Sequence, residues 1–359
     1  MTIAPGGTIG ILGGGQLGRM TAMAAATLGY RSVILAPEAD PPAADVAWRH
    51  IRADYAEADA MRSFLDLVDV VTLEWENVPV AAVEQASARR PARPGAAVLE
   101  ISQDRLREKT FVAALGIATA PFREIGDLLS LETALRSIGP RAILKTRRLG
   151  YDGKGQVPID AGTSPAEALA ALQGAPAILE GFVDFERELS VITGRCPNGE
   201  IRSFPPVENR HAQQILVETT APADLQPLIA AEATAIAQRI AQAIGLEGLL
   251  AVEMFLTSDG TLMVNELAPR PHNSGHWTID AGGVSQFEQL VRAICDLPLG
   301  DPQPRAPALM RNLLGADIES WPDLLATPDA RLHLYGKRET KPGRKMGHVT
   351  YVGTPTPRG

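Results

Sequence analysis

Two glutamates set in apolar runs give the sequence its sharpest chemical signal. The runs 249–256 (LLAVEMFL) and 262–266 (LMVNE) are joined by Thr257-Ser258-Asp259-Gly260-Thr261, and Asp-Gly between apolar runs marks a β-hairpin. With Asp259 and Gly260 as the two loop residues, Ser258 faces Thr261, and counting back sets Glu253 directly opposite Glu266. Like charges so placed repel, and the pair then needs a cation, a shared proton or a slipped register. A slip of one residue would separate their faces and leave two ordinary exposed glutamates. Oxygen ligands suit Mg2+, which binds through one or two carboxylates and keeps water and phosphate oxygens in its shell. Asn265 adds an oxygen if the strand bends.

A second segment reads as a phosphate cover. Lys145 ends a short apolar strand, and Thr146-Arg147-Arg148-Leu149-Gly150-Tyr151-Asp152-Gly153-Lys154-Gly155-Gln156 follows, with three glycines and three bases. Glycines let backbone N–H groups approach anionic oxygens while the cationic side chains offset their charge. A solvated basic loop is the alternative, and the glycine spacing beside a strand-terminal lysine argues against it.

Near the N-terminus, Gly13, Gly15 and Gly18 have the G-x-G-x-x-G spacing between the strand Thr8–Leu12 and the helix Arg19–Leu28. Amides and a helix N-terminus in that position can receive a phosphate. A nicotinamide site would also need an acidic residue at the end of the next strand, and Glu38 lies beyond Ala36-Pro37 instead.

The elements that must carry these groups divide the 359-residue chain into three expected units: 1–100, 101–296 and 297–359. The first reads as a small α/β domain with a parallel sheet. In it, Ser32–Ala36 and Val68–Leu73 are strands, and the latter delivers Glu74-Trp75-Glu76-Asn77 at its C-terminal edge. Pro91, Pro94 and Gly95 precede one long helix over Ile101–Leu115. The second unit has an α+β pattern of short strands around helices at Pro165–Leu172 and Leu225–Ile244. Pro298, Pro302, Pro304 and Pro307 lead into a small strand-rich module.

A composition of 45% hydrophobic and 21% charged residues is that of an ordinary globular protein, and a net charge of −8 argues against non-specific nucleic-acid binding. Cys196 and Cys295 are too few and too far apart for a disulfide framework or a metal knuckle. No apolar run approaches a membrane span. A reducing cytoplasm fits these features.

With these residues in view, the sequence resembles the ATP-grasp superfamily and, within it, the 5-(carboxyamino)imidazole ribonucleotide synthases of purine biosynthesis. The resemblance runs over nearly the whole chain. It is carried by Gly15 to Met20 (GQLGRM), Glu74 to Val78 (EWENV), Gly150 to Gln156 (GYDGKGQ), Asn265 to Trp277 (NELAPRPHNSGHW) and Pro342 to His348 (PGRKMGH). It implies an ATP-grasp fold with an N-terminal pre-ATP-grasp domain, and a ligase that phosphorylates bicarbonate with ATP. The carboxyphosphate is then captured by the amine of 5-aminoimidazole ribonucleotide.

By resemblance, Arg105 and Lys145 contact the ATP phosphates under the Gly150, Tyr151, Asp152, Gly153, Lys154, Gly155, Gln156 loop. Glu180, Gly181, Phe182 and Val183 line the adenine slot, Glu188 receives the ribose hydroxyls, and His211 lies near the nucleotide. Glu253 and Glu266 hold magnesium, beside Asn265. Gln16, Leu17, Glu76 and Asn273 line the acceptor site, and Lys337, Arg344 and Lys345 clamp its phosphate. The N-terminal glycine loop then belongs to the acceptor site and to no dinucleotide. Arg270 stabilises the anionic intermediate, and His272 or Asp152 manages the amine proton. The resemblance also implies a homodimer, with small-molecule substrates and neither nucleic acid nor membrane as partner.

Three other activities remain open at this level. They are a formate-using glycinamide ribonucleotide transformylase of the same superfamily, a dehydrogenase, and a non-catalytic nucleotide-binding module.

Overall fold

The computed structural model describes residues 2–150 and 154–353. Its N-terminal sheet is wholly parallel, with β1 (Thr8–Leu12), β2 (Arg31–Ala36), β3 (Arg49–Arg52) and β4 (Val70–Leu73) in the order β3-β2-β1-β4. β1, β2 and β4 are apolar and almost entirely buried, as expected of strands covered on both faces. The strand order reverses direction between β1 and β4. Such a switch point opens a crevice at the carboxyl ends of the two strands. The glycine loop and Glu74 to Asn77 both leave the sheet there.

The long helix expected over Ile101–Leu115 is two helices, Ala96–Ser102 and Arg105–Ala114. Asp104 breaks it. Its carboxylate accepts the N–H groups of Leu106 and Arg107, so it serves as N-cap of a new helix rather than continuing the old one. The same carboxylate takes two hydrogen bonds from Arg147, at 3.0 and 2.7 Å, and thereby anchors the start of the glycine-rich basic loop.

A small antiparallel sheet follows, made of β5 (Phe122–Ile125), β6 (Ala142–Thr146), β7 (Gln156–Ile159) and β8 (Ala177–Gly181) in the order β5-β8-β6-β7. The remaining strands form one large sheet. They are β9 (Arg187–Arg195), β10 (Ile201–Ser203), β11 (Val207–Ala212), β12 (Ile215–Ala221), β13 (Gly248–Leu256), β14 (Leu262–Ala268), β15 (Ala308–Leu314), β16 (Ala330–Leu334) and β17 (Lys345–Val352). The order is β14-β13-β9-β11-β12-β15-β17-β16, with β10 on β9. The strands of the C-terminal module make no sheet of their own. β15 pairs with β12, so the module extends the central sheet. Both cysteines are buried free thiols, and no helix among the described residues is long and apolar enough to cross a membrane.

Candidate active site

Glu253 and Glu266 are opposite one another across β13 and β14, by a route the sequence did not suggest. Leu256 pairs with Leu262, Phe255 with Met263 and Met254 with Val264, one residue out of the expected register. The turn is a three-residue loop closed by Thr257 and Thr261, in which Gly260 donates to the Thr257 carbonyl and takes φ +85°. A bulge at Asn265 then adds one residue to β14 and brings Glu266 back against Glu253. The two departures cancel.

Lys109 holds this bulge from behind. Its buried ammonium donates to the carbonyls of Asn265 (2.6 Å) and Val264 (3.3 Å) and lies 3.6 Å from the Glu180 carboxylate. One residue earlier on the same helix, Glu108 accepts the Leu267 N–H at 2.8 Å. Burial pushes the Glu108 carboxyl up to about 8, with Glu266 adding to the rise and Lys109 and Arg105 opposing it.

The carboxylate pair opens on a cavity of about 740 Å3. Each member already meets a cationic or donor group through one oxygen. Glu253 Oε1 lies 3.0 Å from His272 Nε2, and Glu266 Oε2 lies 3.3 Å from Arg105 Nη1. Burial opposes ionisation of Glu253, but the His272 hydrogen bond, with His211 and Arg270 nearby, outweighs it and lowers the carboxyl pKa. An ionised, oxygen-only pair on a cavity wall fits magnesium, which needs few protein oxygens and completes its shell from water and phosphate.

Arg105 connects the pair to the glycine-rich basic loop, because its Nη2 donates to the Gly150 carbonyl at 2.9 Å. Across the cavity, Lys145 makes a 2.9 Å ion pair with Glu180. Burial and the neighbouring cations Lys109 and Arg105 lower the Lys145 pKa, against the pull of Glu180. Glu180 itself is buried, yet Lys109, Lys145 and Arg105 bring it down to about 2. Glu188 and His211 meet at 2.6 Å; burial disfavours the imidazolium, and the Glu188 carboxylate more than offsets that and raises the His211 pKa. Phe185 and Phe255 stack at 4.4 Å on the same wall.

A second side of the cavity is built from the switch point. Gln16, Leu17, Glu76, Arg270 and Asn273 line the same cavity. Two of the glycine loop's amides, those of Gly15 and Gly18, are taken by the chain itself. Glu74 from β4 takes the N–H groups of Gly15 (2.5 Å) and Gly18 (2.9 Å), and a Cβ on Gly15 would stand 2.6 Å from its oxygen. The phosphate expected at this helix start is replaced by the chain's own carboxylate, for the electrostatic reason that would have drawn the phosphate. Arg270 is ion-paired with Glu76, and the two charges sustain each other despite burial.

The cavity wall thus gathers Arg105, Lys145, Gly150, Gln156, Glu188, His211, Glu253, Asn265, Glu266, Arg270, His272, Asn273, Gln16, Leu17, Glu76 and Lys345. Eight other expected residues do not line this wall. The Glu180 side chain is paired with Lys145 and Lys109, Phe182 is stacked under the Arg141 guanidinium, and Gly181 and Val183 flank it in sequence. Lys154 and Gly155 lie at the return of the loop. Lys337 donates to the Lys345 carbonyl at 2.7 Å and Arg344 to the Glu339 carbonyl at 2.9 Å, outside the wall that Lys345 reaches. Tyr151, Asp152 and Gly153 fall outside the described residues.

Sequence reasoning missed Lys109, Glu108, Phe185 and Phe255, and named Glu74 without its role at the glycine loop. The spacing Arg105-x-x-x-Lys109 was a usable sign, since it puts two cations on one helical face of an otherwise packed segment.

Comparison with known proteins agrees with this construction. Three family models match in succession: a ribonucleotide synthetase pre-ATP-grasp domain at 7–103, an ATP-grasp domain at 110–287, and a phosphoribosylaminoimidazole carboxylase C-terminal domain at 308–357. The N5-carboxyaminoimidazole ribonucleotide synthase of Brucella melitensis is 49% identical over 353 residues, covering 98% of each chain. That of Bacillus subtilis is 43% identical, covering 98% of this chain and 93% of its own. Among solved structures, an ADP complex of an N5-carboxyaminoimidazole ribonucleotide synthetase superposes with TM-score 0.95 at 42% identity, covering 98% of this chain and 94% of that one. The Aspergillus clavatus synthase with ADP and 5-aminoimidazole ribonucleotide superposes with TM-score 0.91 at 32% identity, covering 97% and 94%. With a relative identical at nearly half its positions from end to end, and all three domain models in order, the chain belongs to the N5-carboxyaminoimidazole ribonucleotide synthase family of ATP-grasp ligases.

Proposed function

We propose that the chain uses ATP and bicarbonate to carboxylate 5-aminoimidazole ribonucleotide to N5-carboxyaminoimidazole ribonucleotide, through carboxyphosphate, in purine biosynthesis. One observation carries this reading. The Glu253–Glu266 pair and the acceptor-side residues Gln16, Glu76 and Asn273 line a single cavity, so a phosphorylated carboxyl formed at the first is within reach of an amine held at the second.

Bicarbonate oxygen attacks the γ-phosphorus and ADP departs; the amine then attacks the carboxyl carbon and phosphate departs. Lys145 and Arg105, both largely buried, offset the charge of the transferring phosphoryl group. Magnesium, held by Glu253 and Glu266, supplies further charge neutralisation when bound. Arg270 faces the region between the two halves and is held by Glu76. Lys345, with Lys337 bonded to its carbonyl, supports the reading of a clamp for the acceptor's phosphate. His272 and Asp152 are the candidates for the amine proton. The family resemblance also supports a cytoplasmic homodimer.

The test is ATP hydrolysis by the purified protein with bicarbonate and 5-aminoimidazole ribonucleotide, each omitted in turn. ADP release is expected only with both present, together with the carboxylated product. Turnover of glycinamide ribonucleotide with formate and no bicarbonate would overturn the assignment.

A further inference from the structure

His272 follows β14 and caps the short turn Asn273–Gly275, and its ring is bonded at both nitrogens. Nε2 faces Glu253 Oε1 at 3.0 Å. Nδ1 accepts the Ser274 N–H at 3.4 Å and lies 2.8 Å from the Ser274 hydroxyl. From there a line of side chains runs into the large sheet. Ser274 Oγ is 2.7 Å from Ser190 Oγ, Asn209 Nδ2 donates to Ser190 Oγ at 3.0 Å, and the Thr219 hydroxyl donates to Asn209 Oδ1 at 2.9 Å. All four of these residues are buried, between 0% and 6% exposed, so water does not substitute for any link.

The direction of the line is set at its His272 end, because the hydroxyls of Ser274, Ser190 and Thr219 can each donate or accept. The backbone N–H of Ser274, which cannot reverse, aims at Nδ1. Nδ1 is therefore an acceptor, and the ring proton sits on Nε2, where it is donated to Glu253. The Ser274 hydroxyl then gives its proton to Nδ1 and accepts from Ser190, Ser190 accepts from the Asn209 amide, and the Asn209 oxygen accepts from Thr219. Ser190 is also the cross-strand partner of Glu253 on β9, which places the whole line on the face that carries the carboxylate pair.

We propose that Ser274, Ser190 and Asn209 are positioning residues that lock His272 as a one-way Nε2–H donor to Glu253, fixing how that carboxylate is presented beside Glu266. His272 is then a positioning residue as well, with no free nitrogen for the amine proton. The proposal rests on the reading of Glu253 as a nucleotide-side carboxylate, but its structural half is testable without any substrate.

The first readout is the two-bond 1H–15N correlation spectrum of histidine-labelled protein without nucleotide at pH 7.5, with His272 assigned by its loss in His272→Gln. A single Nε2–H tautomer is expected. An Nδ1–H ring, an imidazolium or rapid averaging of the two tautomers would overturn the proposal. The second readout compares variants that circular dichroism shows to be folded. His272→Gln keeps a donor at the right reach but cannot act as a base, and should retain kcat within about 10-fold, whereas His272→Leu should lose at least about 100-fold. Equal losses in both would sink the positioning role. Ser274→Ala should lower kcat by about 10-fold with KM for 5-aminoimidazole ribonucleotide within about twofold, and Ser274→Thr should restore it. A change in KM alone, or no change at all, would count against the line. A mistaken carboxylation assignment leaves the spectrum unaffected, so the two failures are distinguishable.

Discussion

Glu253 and Glu266 face each other across β13 and β14 because an extra residue, Asn265, compensates a turn one residue longer than a two-residue hairpin. The pair is thus built by a bulge that Lys109 holds through its 2.6 Å bond to the Asn265 carbonyl. Glu266→Gln should abolish ATP turnover, with a loss above about 1,000-fold, while leaving the thermal midpoint within a few degrees, since Glu266 is partly exposed at the cavity wall. Product formation by Glu266→Gln would mean that the pair does not organise the phosphates.

Lys145, Lys109 and Glu180 form a buried charge cluster in which one carboxylate serves two ammonium groups. Glu180→Gln leaves both cations short of a partner and should cost about 3–5 kcal/mol in urea unfolding. With the Glu180 carboxyl held down to about 2, its stabilising contribution is present above the unfolded carboxyl range and is lost as pH falls toward 2. The wild type should therefore lose more stability than Glu180→Gln between pH 5 and pH 2. Parallel unfolding curves over that interval would refute the cluster's role.

Glu108 has the opposite sign. Its carboxyl is raised to about 8, so it is neutral in the folded protein at neutral pH and ionised in the unfolded chain. Its relative contribution is fully present below the unfolded value near 4.5 and declines as pH rises toward 8. Glu108→Gln keeps an oxygen for the Leu267 N–H, and its stability relative to wild type should grow from pH 5 to pH 8. Each unit of pKa difference corresponds to about 1.4 kcal/mol. Urea midpoints for both proteins at pH 5, 6.5 and 8 give the answer, and a difference independent of pH would contradict it.

Asn273 and Asn312 exchange two amide hydrogen bonds, at 3.0 and 2.5 Å, and Asn312 also donates to the Leu216 carbonyl at 2.8 Å. The C-terminal strand β15 in this way orients a residue of the proposed acceptor side. Asn312→Ala should raise KM for 5-aminoimidazole ribonucleotide by about 10-fold, leave KM for ATP within about twofold, and cost about 1–3 kcal/mol for the unpaired amide. A larger effect on ATP than on the acceptor would place Asn273 on the wrong side of the cavity.

The chemistry was legible in the sequence wherever its residues are close along the chain. Gly150 and Gln156 share one loop, and Asn265, Glu266, Arg270, His272 and Asn273 follow each other off a single strand. Strand and turn chemistry, which act over a few residues, specify such groups locally. The hairpin illustrates the limit of this reading: the facing pair was right and the turn behind it was one residue short, because a bulge leaves no mark in apolar alternation.

What the sequence by itself determined was the facing glutamate pair, the parallel-sheet start and the order of units along the chain. The tertiary structure alone decided who satisfies whom. Glu74 fills the glycine loop that spacing had offered to a phosphate, and Asp104 divides a helix because Arg147 and the amides of Leu106 and Arg107 converge on it. Lys109 supports carbonyls 155 and 156 residues away, and β15 joins β12 instead of closing a separate sheet. The reason is the cost of burying polar and charged groups. Each must find a partner, the partner is supplied by whatever element packs against it, and chain separation carries no information about which element that is.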